Sequence, residues 1–185
     1  FLVTLIEQSM ANEKPDYEIL SSIDNTSEMR KYLASKWVST STTADCSNLD
    51  SERSVMFGRL FRYITGQNDK NQKIQMTAPV LNEIKKLDGQ KCLFTMRFYI
   101  PKANQVNTPV PTGNAVLTDM PEFTVAATRF GGFASMNDYM QHDSQLKQQL
   151  ISQLNKFDTQ TIITAGYNSP FEFADRINEV WIKKL

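Results

Sequence analysis

The sequence predicts an α+β domain of mostly antiparallel strands, built as two similar halves. Three observations lead there. Short alternating or β-branched segments dominate the 185 residues. Only two stretches repeat apolar side chains at helical spacing. The parts also recur in order: in each half an aromatic-rich strand, around Trp37 and then at residues 125–130, leads through a loop into a helix, and more strands follow. The recurrence has a period of about ninety residues, in pattern and not in identity.

The first strands are expected at residues 16–20 and 28–33, around the turn-rich residues 23–27. Residues 36–42 alternate and are β-branched, which suits a pleated, half-buried surface. A helix is expected at about residues 50–65, with Asn48 or Asp50 as cap, Glu52 in the first turn and Gly66 at the exit. Strands follow at 73–84 and 91–100. In the latter, Cys92, Phe94, Met96, Phe98 and Ile100 share one face and Leu93, Thr95, Arg97 and Tyr99 the other. Large side chains on both faces suit a strand with core on one side and a helix or ligand near the other. Residues 101–113, with three prolines, read as the loop between the halves. Strands at 115–118 and 122–130 precede a second helix at about 137–155, where Tyr139, Leu146, Leu150 and Leu154 recur near helical spacing, and strands at 160–165 and 178–184 close the chain. Both helices should lie over one twisted sheet system, with Trp37 and Trp181 buried.

Composition narrows the function. With 41% hydrophobic and 22% charged residues the chain has the balance of a globular protein. Its 20 basic and 20 acidic residues cancel, whereas a general nucleic-acid binder needs a basic excess to displace counterions. One histidine, two cysteines and seven glycines offer no Cys-x-x-Cys pair, no paired-histidine helix and no glycine-rich phosphate loop. The apolar run from Phe1 to Ile6 stops at Glu7, too short for a membrane span, and reads as a short packed strand or tail, or as the end of a leader. Residues 1–14 are therefore expected to be a tail or leader remnant and 15–185 a single domain. Cys46 and Cys92 leave both a disulfide and two free thiols open.

The first helix carries the most chemistry. At helical spacing Met56, Leu60, Ile64, Phe57 and Phe61 cover a band about 140° wide, more than docking on a sheet requires. Phe57 and Phe61 lie at its edge, with Arg59 and Arg62 beyond. Aromatic rings beside guanidinium groups suit a flat apolar ligand with carboxylate arms, because arginine pairs carboxylate in a fork. A well-buried helix with solvated arginines has the same pattern. His142, alone in the second helix, reads as a polar surface residue rather than a metal ligand. No metal site and no catalytic residue emerge from the motifs.

Five separated motifs resemble a known family: Lys36-Trp37-Val38-Ser39-Thr40, Lys73-Ile74-Gln75-Met76-Thr77-Ala78-Pro79-Val80, Phe98-Tyr99-Ile100-Pro101, Phe130-Gly131-Gly132-Phe133, and Ala165-Gly166-Tyr167-Asn168-Ser169-Pro170-Phe171 with Arg176-Ile177-Asn178-Glu179-Val180-Trp181. Together they closely resemble the SOUL or haem-binding protein family, in the family's order, over nearly the whole chain. The resemblance implies a distorted, mostly antiparallel β-barrel of eight or nine strands flanked by two helices, with pseudo-symmetric halves. It implies non-catalytic binding of haem or another tetrapyrrole as carrier, buffer or sensor, in an apolar groove on the first helix. The small-molecule ligand is the expected partner, with no nucleic acid and no membrane span. The alternative is a protein-interaction or signalling module of the same fold.

Carried over by position, the family's binding sites fall on Ser54, Phe57, Phe61, Arg62 and Glu172. Ser54 and Glu172 stand where the family has basic residues of a propionate clamp, and Glu172 would repel a carboxylate. Lys31, beside Tyr32, stands where one branch places a histidine proposed as axial ligand. Pro15-Asp16-Tyr17-Glu18-Ile19-Leu20 resembles the extra N-terminal strand of the haem-binding protein 2-like branch, often secreted, so export is favoured over the cytosol.

Overall fold

The computed structural model describes residues 12–169 and 171–185; the apolar segment at residues 1–6 lies outside them. Strand alternation is clearest in β5 (Lys91–Tyr99), where Cys92, Phe94, Met96 and Phe98 are buried against the first long helix, α1 (Leu49–Ile64). Tyr99, on the opposite face, joins a second core with Trp37, Leu81 and Trp181. A strand with apolar side chains on both faces needs cover on both, and here α1 lies outside while the sheet curls over the inside.

The remaining strands are β1 (Tyr17–Ser22), β2 (Ser27–Tyr32), β3 (Ser35–Asp45), β4 (Val80–Lys86), β6 (Val116–Met120), β7 (Phe123–Phe130), β8 (Thr161–Gly166) and β9 (Asn178–Lys183). The second long helix, α2 (Met136–Gln149), runs on into a 3₁₀ segment, Ile151–Lys156. All nine strands join in one antiparallel sheet of order β1-β2-β7-β9-β8-β4-β5-β3-β6, curled into a half-barrel. The order reads alike outward from the β8–β4 seam: β8, β9, β7, β2 on one side match β4, β5, β3, β6 on the other. Strands β2 and β6, which open the two halves, each pair with the opposite half, on β7 and β3 respectively. The duplication expected from pattern is therefore present, with its two halves interlocked.

Two differences from the sequence reading have simple causes. The strand expected at 73–84 starts only at Val80. Pro79 lacks an N–H for the ladder, and Ile74 instead turns into the core under α1, its amide donating to the Ile64 carbonyl. Residues 101–113 contain one helical turn at Lys102–Gln105, whose Gln105 amide bridges the carbonyls of Lys36 and Ile100. Trp37 and Trp181 are both buried in the inner core, beside Tyr32, Phe123, Val125 and Ile163.

Inside the curl one acid holds several strands. Glu179 on β9 is fully buried. It accepts hydrogen bonds from Arg30 Nη1 at 2.8 Å and Nη2 at 2.9 Å, Trp181 Nε1 at 2.8 Å, Tyr167 Oη at 2.8 Å and Arg129 Nη2 at 3.0 Å. Burial by itself would raise the Glu179 pKa; the hydrogen bonds and charge of Arg30, with the Trp181 and Tyr167 bonds, outweigh it and hold the carboxyl below its ordinary value. The Arg30 guanidinium also lies over the Tyr17 ring at 4.6 Å, which ties in β1. Cys46, just after β3, is disulfide-bonded to Cys92 at the start of β5, across 46 residues. The bridge fixes the entry to α1 against the strand that α1 covers.

Two stability measurements follow. Glu179→Gln removes the fully buried counter-charge of Arg30, which keeps only the part-exposed Glu28 at its Nε, and should cost about 3 kcal/mol in urea unfolding at neutral pH, the lower end for a broken buried pair. Because the folded pKa of Glu179 lies below its ordinary 4.5, its contribution is complete above that value and fades as pH falls through the folded pKa. The variant should accordingly lose less stability than the wild type on acidification below about pH 4.5. Replacing Cys46 and Cys92 by alanine should lower stability by about 2–4 kcal/mol, and adding reductant to the wild type should reproduce most of that loss.

Candidate functional site

Each helix covers its own half of the sheet: α1 packs on β3 and β5, and α2 on β7 and β9. The outer face of the central seam, β4 and β8, is left between them. A groove of about 620 Å³ opens there, within the usual range for small-molecule sites. Asp50, Arg53, Ser54 and Phe57 of α1 form one wall, and Val80, Asn82, Met96 and Gly166 form the floor. Phe133, Ala134 and Tyr139 face them, with Asn168, Arg176 and Asn178 at one end.

Local chemistry holds each wall. On α1, Met56, Leu60, Tyr63 and Ile64 are buried, which turns Phe57 and Phe61 to the helix margin at 39% and 47% exposure. Their rings stack 5.9 Å apart, and Phe57 meets Phe98 edge-on at 5.4 Å. On the opposite wall Ser135 caps α2 in a reciprocal capping box with Asp138. Tyr139 then donates to Asn178 Oδ1 at 3.2 Å, and Asn178 Nδ2 donates to the Gly132 carbonyl at 2.8 Å. Gly132 has φ +82, a left-handed conformation that a residue with a Cβ adopts only under strain. At the groove's end Arg176 Nη1 donates to the carbonyls of Ser169 and Glu172, and its guanidinium lies 4.3 Å from the Phe133 ring centre.

The electrostatics of the groove are lopsided. Arg53 and Arg176 bring two positive charges, against one carboxylate, Asp50, at the start of α1. Burial raises the Tyr139 pKa, and the charges of Arg53 and Arg176 pull it back in part. Two buried polar atoms on the lining lack a partner: Asn82 Oδ1 in the floor and Arg176 Nε at the end. Asn82 is only 6% exposed. No histidine or cysteine is among the described lining residues.

A second cavity, of about 270 Å³, opens at one end of the curl, lined by Leu81, Phe123, Ile163 and Trp181 with Arg97 and Glu83. There Arg97 Nε donates to Glu83 Oε1 at 2.8 Å, so these charged groups satisfy each other. Among the described residues, the outer groove alone combines size, an aromatic wall and unpartnered polar atoms.

Of the residues singled out in the sequence, Ser54 and Phe57 line the groove, while Phe61, Arg62 and Glu172 do not. Phe61 continues the aromatic strip along α1, and Arg62 is exposed one position further. Glu172 is exposed, its carboxylate held by Asn168 Nδ2. Lys31 pairs with Glu122 at 3.0 Å and does not reach the groove. His142 is half-buried, its ring stacked 3.9 Å from that of Phe130, rather than fully solvated. Sequence reasoning missed Asn82, Tyr139, Arg176 and Asn178 as lining groups. For Asn82 a signal existed: it is the polar break in the outward alternation Val80, Asn82, Ile84.

With this geometry in place, four similarities bear on the chain. A family model described as SOUL heme-binding protein matches residues 12–183. The chain is 37% identical over 158 residues to heme-binding protein 2 of Homo sapiens, across 84% of this chain and 76% of the relative. It is 33% identical over 181 residues to heme-binding protein 2 of Mus musculus, across 95% and 87%. In fold it is similar to the crystal structure of the EcmrR C-terminal domain, at a TM-score of 0.57 and 12% identity over 91% of this chain and 99% of that one.

Proposed function

The chain belongs to the SOUL heme-binding protein family, and on that premise we propose that it binds haem or another tetrapyrrole non-covalently in the groove between α1 and α2. The observation that carries this reading is the groove's composition: a Phe57 wall and a Val80 and Met96 floor, beside Arg53 and the unpartnered Arg176 Nε. A flat apolar ring system with carboxylate arms matches that set. Phe57 stacks on the macrocycle, and Phe61 extends the aromatic surface toward its edge. Arg176 and Arg53 take the carboxylates, with Arg62 available to an arm that leaves the groove along α1. Ser54 offers a hydroxyl at the rim, and Glu172 keeps anionic groups from the outer end.

Binding without bond-making is the favoured activity. Asp50 is the one carboxylate among the described lining residues, and it sits in the first turn of a helix, where the macrodipole favours an acid without any catalysis. The relatives' name describes binding rather than a reaction. The Cys46–Cys92 bridge suits an oxidising compartment. A second reading, a protein contact along the same rim, draws on Phe133, Phe171 and Phe173, exposed at 63%, 83% and 78%.

Titration with haemin separates the two readings. A saturable, stoichiometric Soret shift is expected of the binding groove, and a non-saturating rise of the interaction module. Phe57→Ala should weaken haemin binding about tenfold or more, because it removes a large apolar contact. His142→Ala, whose ring is engaged with Phe130, should leave the affinity within about threefold. Full affinity in Phe57→Ala, with the fold intact by circular dichroism, would mean that the groove is not the site.

A further inference from the structure

The floor of the groove contains a feature that haem leaves unanswered. Asn82 stands on the outer face of β4 between Val80 and Ile84, where both neighbours on that face are apolar. Its side chain lines the groove, is 6% exposed, and has an Oδ1 shielded from solvent with no hydrogen-bond donor. An amide oxygen in that state raises the free energy of the site, and a turn of the amide about its last side-chain bond is what presents it to an N–H or O–H in the groove. Haem brings neither to the groove floor. Its four pyrrole nitrogens are bound to iron, its periphery is carbon, and its two propionates are ionised acceptors. Among the described lining residues no histidine or cysteine is offered to the iron, and the two groups of ligating type are the Met96 thioether and the Tyr139 hydroxyl, the latter engaged with Asn178.

An open-chain tetrapyrrole differs in this respect. It keeps the two propionates and the flat conjugated surface, so it satisfies Arg53, Arg176 and Phe57 equally well. It also presents several pyrrole and lactam N–H groups along its concave edge, where one acceptor can meet more than one donor. We propose that the groove selects open-chain tetrapyrroles over haem, with Asn82 accepting their pyrrole N–H bonds at its floor. The proposal rests on the reading that the groove holds a tetrapyrrole, and it assigns the choice among tetrapyrroles to one side chain. Because haemin and biliverdin both carry two propionates, contacts to the arginines largely cancel in the ratio of their affinities. That ratio reports the floor.

The experiment is fluorescence-quenching titration of the whole chain with biliverdin and with haemin, for wild type, Asn82→Leu, Asn82→Asp and Phe57→Ala. Wild type should bind biliverdin about tenfold more tightly than haemin, the scale of one buried acceptor gaining its donor. Asn82→Leu keeps the volume and removes the acceptor, so biliverdin should weaken about tenfold while haemin holds or tightens. Asn82→Asp presents an oxygen acceptor whichever way the amide is turned, and should hold or strengthen biliverdin; it also serves if the leucine variant fails to fold. Equal or tighter haemin binding in the wild type overturns the proposal. So does a leucine variant that shifts both ligands alike, or an aspartate variant that loses biliverdin. If both ligands bind but Phe57→Ala affects neither, the groove reading itself fails, and the selectivity claim fails with it.

Discussion

The carboxylate of Glu179 is the point on which this half-barrel turns. It lies inside the curl, without solvent, and each of its oxygens is taken by cationic or hydrogen-bonding side chains from β2, β7, β9 and the segment after β8. A buried carboxylate is tolerable only when its charge is matched and its lone pairs are filled. That requirement fixes more than one residue. Because side chains alternate along a strand, Glu179 and Trp181 pointing inward forces Asn178, Val180 and Ile182 outward, beneath α2. Asn178 then receives the Tyr139 hydroxyl and holds the Gly132 carbonyl, which shapes one side of the outer groove. An inner ion pair thus sets the register of an outer wall.

The groove itself follows from the duplication. In each half the helix packs on the strand before it and on the last strand of that half, β3 and β5 for α1 and β7 and β9 for α2, and the two halves meet at β4 and β8. Neither helix reaches across the seam, so a strip of sheet stays open between them. Its position requires no special loop or cofactor; two copies of one motif joined side by side leave it there. What each copy contributes has diverged. The α1 side brings Phe57 and Arg53, while the α2 side brings Tyr139 and, through the loop before β9, Arg176. Exchange of the opening strands β2 and β6 between the halves keeps the seam from parting, since separating the halves breaks two further ladders.

Much of this was legible in the chain. Period-two alternation gave β5 its two faces, and helical spacing gave α1 its buried band of Met56, Leu60 and Ile64 with Phe57 and Phe61 at the edge. The five motifs gave the family. Where local pattern misled, tertiary demands had prevailed: residues 73–79 have strand composition, yet Ile74 is needed under α1 and Pro79 cannot donate to a ladder. His142 is polar and helical by position, and only the packing of α2 on β7 brings its ring onto Phe130.

The division between sequence and structure has a physical basis. Propensity and periodicity act over a few residues, so the chain by itself determined which segments are strands or helices, which faces are apolar, that the pattern repeats, and which family it belongs to. Which groups meet is decided by strand register and sheet order, and those depend on pairings remote in sequence. Arg30 and Glu179 are 149 residues apart and form one ion pair. Asn82 and Arg176 are ordinary polar residues in the sequence; only the seam between the halves brings both into one groove and leaves each with an unpartnered atom. The same register turns Phe61, Arg62 and Glu172 away from that lining, because a helix face and a loop end are oriented by what packs beneath them.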